Sequence, residues 1–275
     1  VAALWTVANK IEPWEPKSES VPMVWRYKDL REHVFKSAEI VSPEEAGRRV
    51  LYFNNPGRQE HAAAVGLLYA GLQTMHPGEA ASAHWHSSSA LRFIMEGKGA
   101  YTIVNGNKLT LNANDFAITP NGCWHEHGVD EDGEPCIWMD GLDIPLVNVL
   151  EAGFYGVHPD LRQAITKPID ASPNMWSGGG LIPTVHDWQE HYSPLFKYEW
   201  WRTYEALQNY AKVSDGSPYD GIMMDYINPL TGGPAMSTIG ASMQMLRPGE
   251  HTKAHRSTGH VLYQCAKGKG YSIIN

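Results

Sequence analysis

The stretch Pro77-Gly-Glu-Ala-Ala-Ser-Ala-His-Trp-His-Ser-Ser-Ser-Ala-Leu-Arg-Phe-Ile-Met-Glu-Gly-Lys-Gly99 decides the fold, because the chain contains it twice. Its Pro-Gly-Glu start, its Ala-His pair and its Gly-Lys-Gly end recur between Pro248 and Gly270. The spacing between these matched elements is identical in the two copies, so that His84 corresponds to His255. A repeat of this kind indicates two copies of one domain.

Short β-branched and aromatic runs, separated by turn residues, surround the first copy. Ala100–Val104 and Lys108–Leu111 flank the pair Asn105-Gly106, which is a strong hairpin signal. Further strands are predicted at Leu91–Met95, Asp115–Thr119 and Cys136–Leu142. Many short strands favour an antiparallel sandwich or barrel over alternating strands and helices.

Helices are predicted on both sides of this β-rich region. Ser42-Pro-Glu-Glu45 has the order of a capping box and predicts a short helix near Pro43 to Arg49. Leu146–Ala152 and Lys197–Lys212 also have a helical pattern. We therefore expect an N-terminal helical or irregular segment (1–60), a first barrel (61–150), a linking region with helices (151–235) and the start of a second barrel (236–275).

The two copies differ where a metal would bind. His84-Trp85-His86 places two imidazoles at i and i+2, which is the same face of a strand. The second copy has His255-Arg256-Ser257 instead, so one potential ligand is lost and we expect this copy to be metal-free. The equivalent of His125 would lie beyond Asn275. We therefore expect an unfinished second barrel and interpret the chain as a fragment.

A third histidine completes a set of metal ligands in the first copy. Pro120-Asn-Gly122 is followed, after two more residues, by His125, and we predict His84, His86 and His125 as the ligands. Three imidazoles on one side of an octahedral metal leave three positions open for other ligands. These residues alone do not select the metal, because imidazoles bind zinc, nickel, copper and iron.

Composition excludes several classes of function. The chain has 22 Lys and Arg against 30 Asp and Glu, a net charge of −8, and no basic stripe, which disfavours nucleic-acid binding. No apolar run approaches the roughly 18 to 20 residues of a membrane span, and the start lacks the pattern of a signal peptide. Three cysteines, an odd number, argue against a disulfide scaffold. We expect a soluble cytoplasmic protein.

The motif spacing resembles that of the cupins. Gly78, His84 and His86 match G(x)5HxH, and the later stretch Pro120–His125 matches PxGxxH. The resemblance implies a small antiparallel β-barrel, or jelly roll, in which the three histidines converge on one metal. Cupins usually add a glutamate seven residues before the last glycine of the first motif. Ala90 stands there, which implies three neutral ligands and no carboxylate.

Together with Ala90, three further stretches resemble one bicupin family, the gentisate 1,2-dioxygenases with the related salicylate and 1-hydroxy-2-naphthoate dioxygenases. They are Ser89–Gly97, Trp124–Gly128 and Asn228–Pro234. The resemblance implies a mainly β bicupin fold with N-terminal and linking helices, and a homo-oligomer, a tetramer, that contains Fe(2+). It further implies a reaction with O2 that opens a 2-hydroxy aromatic acid between its carboxyl-bearing and hydroxyl-bearing carbons.

The resemblance also implies roles for other residues of the first copy. Arg92 would anchor the substrate carboxylate, for which a planar guanidinium is well suited. His127 would donate a hydrogen bond to substrate or dioxygen, and Asp140 would face the cavity as a third catalytic residue. Further substrate contacts are predicted from Gln73, Arg48, Tyr69 and Trp138.

Two functions of other kinds compete with this interpretation. One is a bicupin that binds a metal without catalysis; the other is a metallo-cupin with an isomerase or oxalate-type activity. Arg92 beside open coordination positions argues against the first, and Ala90 in place of the usual glutamate argues against the second. The choice among gentisate, salicylate and 1-hydroxy-2-naphthoate as substrate stays open.

Overall fold

A computed structural model describes residues 1–274 of the chain. The helices are α1 (Ala8–Ile11), α2 (Tyr27–Ile40), α3 (Pro43–Ala46), α4 (Ile144–Val149), α5 (Ala171–Trp176) and α6 (Trp200–Val213), with short 3-10 turns at Leu4–Thr6 and Gln59–His61. The first strands are β1 (Val50–Tyr52), β2 (Tyr69–Met75), β3 (Ala80–His86), β4 (Ala90–Glu96), β5 (Ala100–Val104), β6 (Asn107–Leu111) and β7 (Phe116–Thr119). They are followed by β8 (His125–Val129), β9 (Cys136–Leu142), β10 (Tyr155–Val157), β11 (Lys197–Tyr198), β12 (Ile222–Asp225) and β13 (Ser242–Met245).

Two antiparallel sheets pack face to face, so the mainly β prediction is confirmed. One sheet has the order β1-β2-β9-β4-β7-β11 and the other the order β10-β3-β8-β5-β6. Buried apolar side chains from both sheets meet in one cluster, for example Ile94 and Trp138 from the first sheet and Val104 and Leu109 from the second. The space between the sheets therefore holds both the core and, as described below, the histidines.

Most predicted strands form with bounds within a residue or two of those expected. The Asn105-Gly106 pair closes the β5–β6 hairpin, with φ of 43° and 76° at its two residues. Such positive φ values are tolerated well by Asn and Gly, which explains why this dipeptide was an informative signal.

Short strands from outside residues 61–150 also pair with the two sheets. β1 pairs with β2, β10 with β3, and β11 with β7. Strands of two or three residues are too short to show an alternating pattern in the sequence.

Two predicted helices start at other residues than expected. Lys197 and Tyr198, predicted as the start of a helix, form β11, and α6 starts only at Trp200. Helix α4 begins two residues before the predicted start because Pro145 stands in its first turn, where a missing N–H costs nothing.

The turn that opens the repeated stretch is the same in both copies. Gly78 and Gly249 have φ of 80° and 76°. Glu79 accepts a hydrogen bond from the backbone N–H three residues earlier (2.8 Å), as does Glu250 (2.7 Å). The strand before the turn, β2 in the first copy, corresponds to β13 in the second. After this turn the second copy has no helix or strand between residues 246 and 274.

The segment before β13 packs against the first barrel. Ala235, Met236 and Ile239 belong to the same buried cluster as Ile94 and Trp138. The last residue of the predicted linking region and the first residues of the predicted second barrel thus pack in the core of the first. Within residues 1–274, no helix is long and apolar enough to cross a membrane.

Candidate metal centre and active site

Three histidines face the space between the sheets because of strand register. His84 on β3 lies directly opposite His125 on β8, and His127 follows two residues later on the same face of β8. A register shift in the β3–β8 pairing separates Ala81, opposite His127, from His84. His84, His125 and His127 are each 2% exposed. Trp85, which follows His84, and Trp124, which precedes His125, project from the other face of the sheet, where their rings contact each other.

The closest group of possible ligand atoms is made of these three rings. Nitrogens of His84, His125 and His127 lie within 4.8 Å of one another, and within residues 1–274 no Cys, Asp or Glu joins such a group. The ring of His86 lies beside them, with its centroid 4.7 Å from that of His125 and 5.6 Å from that of His84. The sequence predicted His86 rather than His127 as the third ligand. The hydrogen bonds of the two rings show which of them has a nitrogen available for a metal.

The three predicted ligands share one hydrogen-bonding arrangement. The Nδ1 atom of each ring lies beside a backbone carbonyl two residues away in the chain. The pairs are His84 with Ser82 (2.9 Å), His86 with Ser88 (2.7 Å) and His125 with Cys123 (2.9 Å). A carbonyl oxygen only accepts, so Nδ1 carries the proton and Nε2 keeps its lone pair. A histidine held through one nitrogen in this way presents the other nitrogen to a metal.

His127 is held differently. Its Nδ1 lies 2.8 Å from Thr102 Oγ1 and 2.9 Å from Arg92 Nη1, and its Nε2 lies 3.0 Å from Arg92 Nη2. A neutral imidazole has one donor and one acceptor nitrogen. The consistent assignment is that Nδ1–H donates to Thr102 and Nε2 accepts from Arg92. Both nitrogens of His127 are therefore engaged by protein, unlike those of the three predicted ligands.

The facing sheet supplies an ion pair. Arg92 on β4 and Asp140 on β9 are direct neighbours across the sheet, and both are buried. Asp140 Oδ1 accepts from Arg92 Nε (2.9 Å) and lies 2.8 Å from Nη2, while Oδ2 accepts from the indole of Trp138 (3.2 Å). The guanidinium is thus fixed in place by Asp140 on one side and His127 on the other.

Burial and the nearby arginines keep the imidazoles neutral. Burial, assisted by the charge of Arg48, lowers the pKa of His84 to about 3. Burial also lowers the pKa of His86, and it lowers the pKa values of His125 and His127 well below the usual range. Neutral imidazole is the form that binds metal, so these rings are ready to act as ligands at neutral pH.

The remaining predicted contacts also border this space. Gln73 is 1% exposed, lies opposite Trp138 in the β2–β9 pairing, and has no hydrogen-bond partner for its Nε2 within residues 1–274. Burial raises the pKa of Tyr69, and the charge of Asp140 adds to this effect. Arg48 is on an exposed segment before β1, yet its charge acts on His84, His86 and His127.

Two residues with clear contacts at the site were not predicted. Thr102, which is fully buried, holds His127, and Asp143 binds the turn that follows His86. Thr102 lies directly opposite His127 in the β5–β8 pairing, a relation that only the strand register reveals. Nothing in the local sequence around either residue distinguishes it from an ordinary strand or helix-end residue.

Two facing sheets with a histidine cluster between them define a metal-binding cupin, and a cupin-domain family model matches residues 71–144. Gentisate 1,2-dioxygenase 1 from Aquipseudomonas alcaligenes is 38% identical to this chain. The match covers all of this chain and 78% of the length of that enzyme. A 5-aminosalicylate 1,2-dioxygenase from Comamonas sp. is 34% identical over all of this chain and 74% of its own. The chain belongs to the gentisate 1,2-dioxygenase family of ring-cleaving bicupin dioxygenases.

Solved structures of the same family have the same fold. The crystal structure of salicylate 1,2-dioxygenase from Pseudaminobacter salicylatoxidans superposes with a TM-score of 0.79 at 34% identity, covering 88% of this chain and 70% of that one. A tyrosine-for-tryptophan mutant of that enzyme in complex with gentisate gives a TM-score of 0.80 at the same identity, covering 88% and 68%. Recognition of the family from its motifs is thereby confirmed, as is the dioxygenase activity.

Proposed function

We propose that this dioxygenase opens the ring of a 2-hydroxy aromatic acid, gentisate or salicylate, between the carboxyl-bearing and hydroxyl-bearing carbons. Fe(2+) would be held by His84, His86 and His125. One observation carries the proposal: these three rings are tethered through Nδ1, and the neighbouring ring of His127 contacts the buried guanidinium of Arg92. The substrates in the names of the relatives share a hydroxyl group next to a carboxylate on an aromatic ring.

The donor set fits a divalent metal that must accept an anionic ligand. Three neutral imidazoles add no charge of their own, so a bound dication keeps its full charge for the acid. His127 is adjacent to this set, but its acceptor nitrogen already faces Arg92. We therefore assign the third ligand to His86 rather than to His127. Iron, when bound, supplies the positions at which acid and O2 meet and the path for electrons between them.

Arg92 is the proposed anchor of the substrate carboxylate. Its Nε and Nη2 donate to Asp140 and His127, and Nη1 has two hydrogens, of which at most one points at His127. The remaining hydrogen is free to donate to a carboxylate, and such charged hydrogen bonds are among the stronger ones. Asp140 holds the guanidinium in the orientation that this contact needs.

Arg48 and Gln73 would complete the binding of the acid. Arg48 brings a second positive charge to the exposed side of the site, which attracts an anion. Gln73 has a buried amide nitrogen without a partner within residues 1–274, and an unpaired buried donor is costly unless a ligand satisfies it. Tyr69 and Trp138 would form walls that limit which ring substituents fit.

His127 would act as a neutral group rather than a cation. Burial and the charge of Arg92 lower its pKa, and Thr102 fixes its tautomer with Nε2 as the acceptor. In this form its Nε2 accepts from Arg92 and orients the guanidinium, whose remaining N–H can donate to the oxygens of the substrate. Loss of Thr102 would allow the other tautomer and change this role.

We further propose that the enzyme works in the cytoplasm as a homo-oligomer, a tetramer as the family resemblance implies. An exposed apolar surface around β10 supports assembly: Phe154, Tyr155 and Val157 are 61%, 71% and 52% exposed. Contiguous exposed apolar surface commonly marks a protein interface. Light scattering on the purified chain measures the subunit number directly.

Oxygen uptake tests the catalytic proposal. Iron-reconstituted protein should consume O2 with gentisate or salicylate and lose the absorbance of the aromatic ring. Preference for 1-hydroxy-2-naphthoate would move the substrate assignment to the larger ring, consistent with a relative that is 33% identical and carries that name. Iron-loaded protein that consumes no O2 with any of the three acids would favour a non-catalytic bicupin.

A further inference from the structure

Asp143 stands at the start of α4 but does not cap it. It is the residue just before the helix, where an aspartate normally accepts a hydrogen bond from the first turn. Its side chain makes no such bond, although it is only 2% exposed. Both carboxylate oxygens are used elsewhere: Oδ1 accepts from the backbone N–H of Ser89 (2.7 Å), and Oδ2 accepts from the hydroxyl of Thr238.

Ser89 belongs to the turn that orients His86. This turn, Ser87–Ser89, connects β3 to β4, and the carbonyl of Ser88 receives the Nδ1 proton of His86. His84 and His125 are instead tethered to carbonyls that precede them in the chain, either within or next to their own strands. His86 is thus the one proposed ligand whose orientation depends on the turn after its strand.

Thr238 comes from a distant and firmly packed part of the chain. Thr238 itself is exposed, but its neighbours Met236 and Ile239 are buried in the core of the first barrel and anchor the backbone that carries its hydroxyl. The hydroxyl and the Ser89 N–H approach the Asp143 carboxylate on different oxygens. A segment from the second half of the chain is therefore connected to the turn after His86 through one buried carboxylate.

We propose that Asp143 and Thr238 are positioning residues that hold the Ser87–Ser89 turn and, through it, the imidazole of His86 in the orientation that binds metal. The proposal rests on the proposed ligand set. It explains why an aspartate at a helix start forgoes the cap. It also gives the second half of the chain a role at the metal centre, although that half has lost the paired histidines.

Metal affinity measures this role without relying on catalysis. Apo-protein is titrated with Co(2+) in the presence of a competing chelator, for the wild type and for Thr238→Val, which removes the hydroxyl and keeps the shape. We expect Thr238→Val to weaken Co(2+) binding by about 10- to 100-fold, the range for partners that orient metal ligands. Thr238→Ser should restore most of the affinity. Ser237→Ala is the matched control, because Ser237 is exposed and makes no hydrogen bond within residues 1–274.

A double variant separates positioning from a general structural role. In a His86→Ala background, Thr238→Val should change Co(2+) affinity by less than about twofold, because the ring that it positions is gone. An equal loss in both backgrounds, or no loss in Thr238→Val, would overturn the positioning role alone. Unchanged affinity in both His84→Ala and His86→Ala would overturn the ligand set, and the positioning role with it. Asp143→Asn, which keeps one acceptor oxygen, should show the same dependence on His86.

Discussion

The first and second copies of the repeated stretch begin with the same turn and then diverge. In both, a glycine at positive φ is followed by a glutamate that accepts a backbone hydrogen bond from three residues earlier. The first copy continues into β3, which pairs with β8 and β10. Residues 251–274 of the second copy form no strand, and both His255 and Tyr263 are exposed there.

The difference shows which features depend on the local sequence and which depend on partners elsewhere in the chain. Pro-Gly-Glu is sufficient for the turn, because the required φ and hydrogen bond both lie within the turn itself. A strand needs partners, and a metal site needs a second strand to face the first. The first copy has both, since β8 places His125 opposite His84. In the first copy, the metal site therefore depends on strand pairing as well as on the presence of histidine.

The largest expected effect comes from the two equivalent histidines, His84 in the first copy and His255 in the second. His84→Ala should weaken metal binding by more than about 100-fold, beyond the range for residues that merely orient a ligand, and abolish oxygen uptake. His255→Ala should change neither, because its side chain is 49% exposed beside Asp220. Metal analysis after gel filtration measures both. Stoichiometric iron in His84→Ala would contradict the assignment of the site to the first copy.

Arg92 and its counterpart in the second copy, Tyr263, give the next comparison. Arg92→Ala should weaken binding of the aromatic acid by about 1.5 to 3 kcal/mol, the range for a hydrogen bond to a charged group. Tyr263→Ala should have no effect, because that residue is 67% exposed. Calorimetric titration with salicylate under anaerobic conditions measures the affinity, and melting curves check the fold. Equal affinity in Arg92→Ala and the wild type would rule out the anchor.

The glutamates of the two identical turns should differ in their contribution to stability. Burial raises the pKa of Glu79, but hydrogen bonds from Arg49 and from the backbone of His76 outweigh it, so the net pKa is lowered. A lowered pKa means that the stabilisation is present above the unfolded value, about 4.3, and disappears as pH falls through the folded value. Glu79→Gln should therefore destabilise the protein at pH 7, by about 1.5 kcal/mol.

Glu250→Gln is the matched control for this prediction. Its partner Arg247 is 35% exposed and 3.9 Å away, so the loss should stay below about 1 kcal/mol. Urea unfolding at pH 7 and at pH 3.5 measures all three proteins. A gap between Glu79→Gln and the wild type that widens on acidification would contradict the assigned sign.

The smallest effect concerns thiols and needs no substitution. Burial raises the pKa of both Cys123 and Cys136 to about 11, whereas Cys265, the counterpart of the fully buried Ile94, is exposed. A thiol reagent at pH 7.5 should label one cysteine per native chain quickly and three after denaturation. Protection of Cys265 in the native protein would show that the second copy is more ordered than its exposed side chains indicate.

Motif spacing predicted the parts of the molecule that depend on local chemistry. The hairpin at Asn105-Gly106, the strands around it and the histidines at the site all follow from residue type and period. Arg92 and Asp140 were predicted on one cavity, and they lie side by side. In each case the prediction needed only residue spacing along one strand, where positions two apart face the same side.

Register and distant contacts account for what was missed. Thr102 is important because it lies opposite His127, and no sequence signal states that pairing. Thr238 and Ser89 meet at Asp143 although they are separated by most of the first barrel and the linking region. The sequence predicted His127 on the same side as His125, but its contacts with Thr102 and Arg92 depend on how the strands pair and pack.

The place of β9 in its sheet delays folding of the barrel while the enzyme is being made. This strand lies between β2 and β4, both of which come much earlier in the chain, and it contributes Asp140 to the site. Pairings between residues so far apart fold slowly, because the intervening chain must close a loop before any contact forms. During synthesis, a chain that ends before Cys136 already carries all the histidines of the site but lacks the strand that joins β2 to β4. The β2-β9-β4 part of the sheet therefore cannot form before Leu142 has emerged from the ribosome.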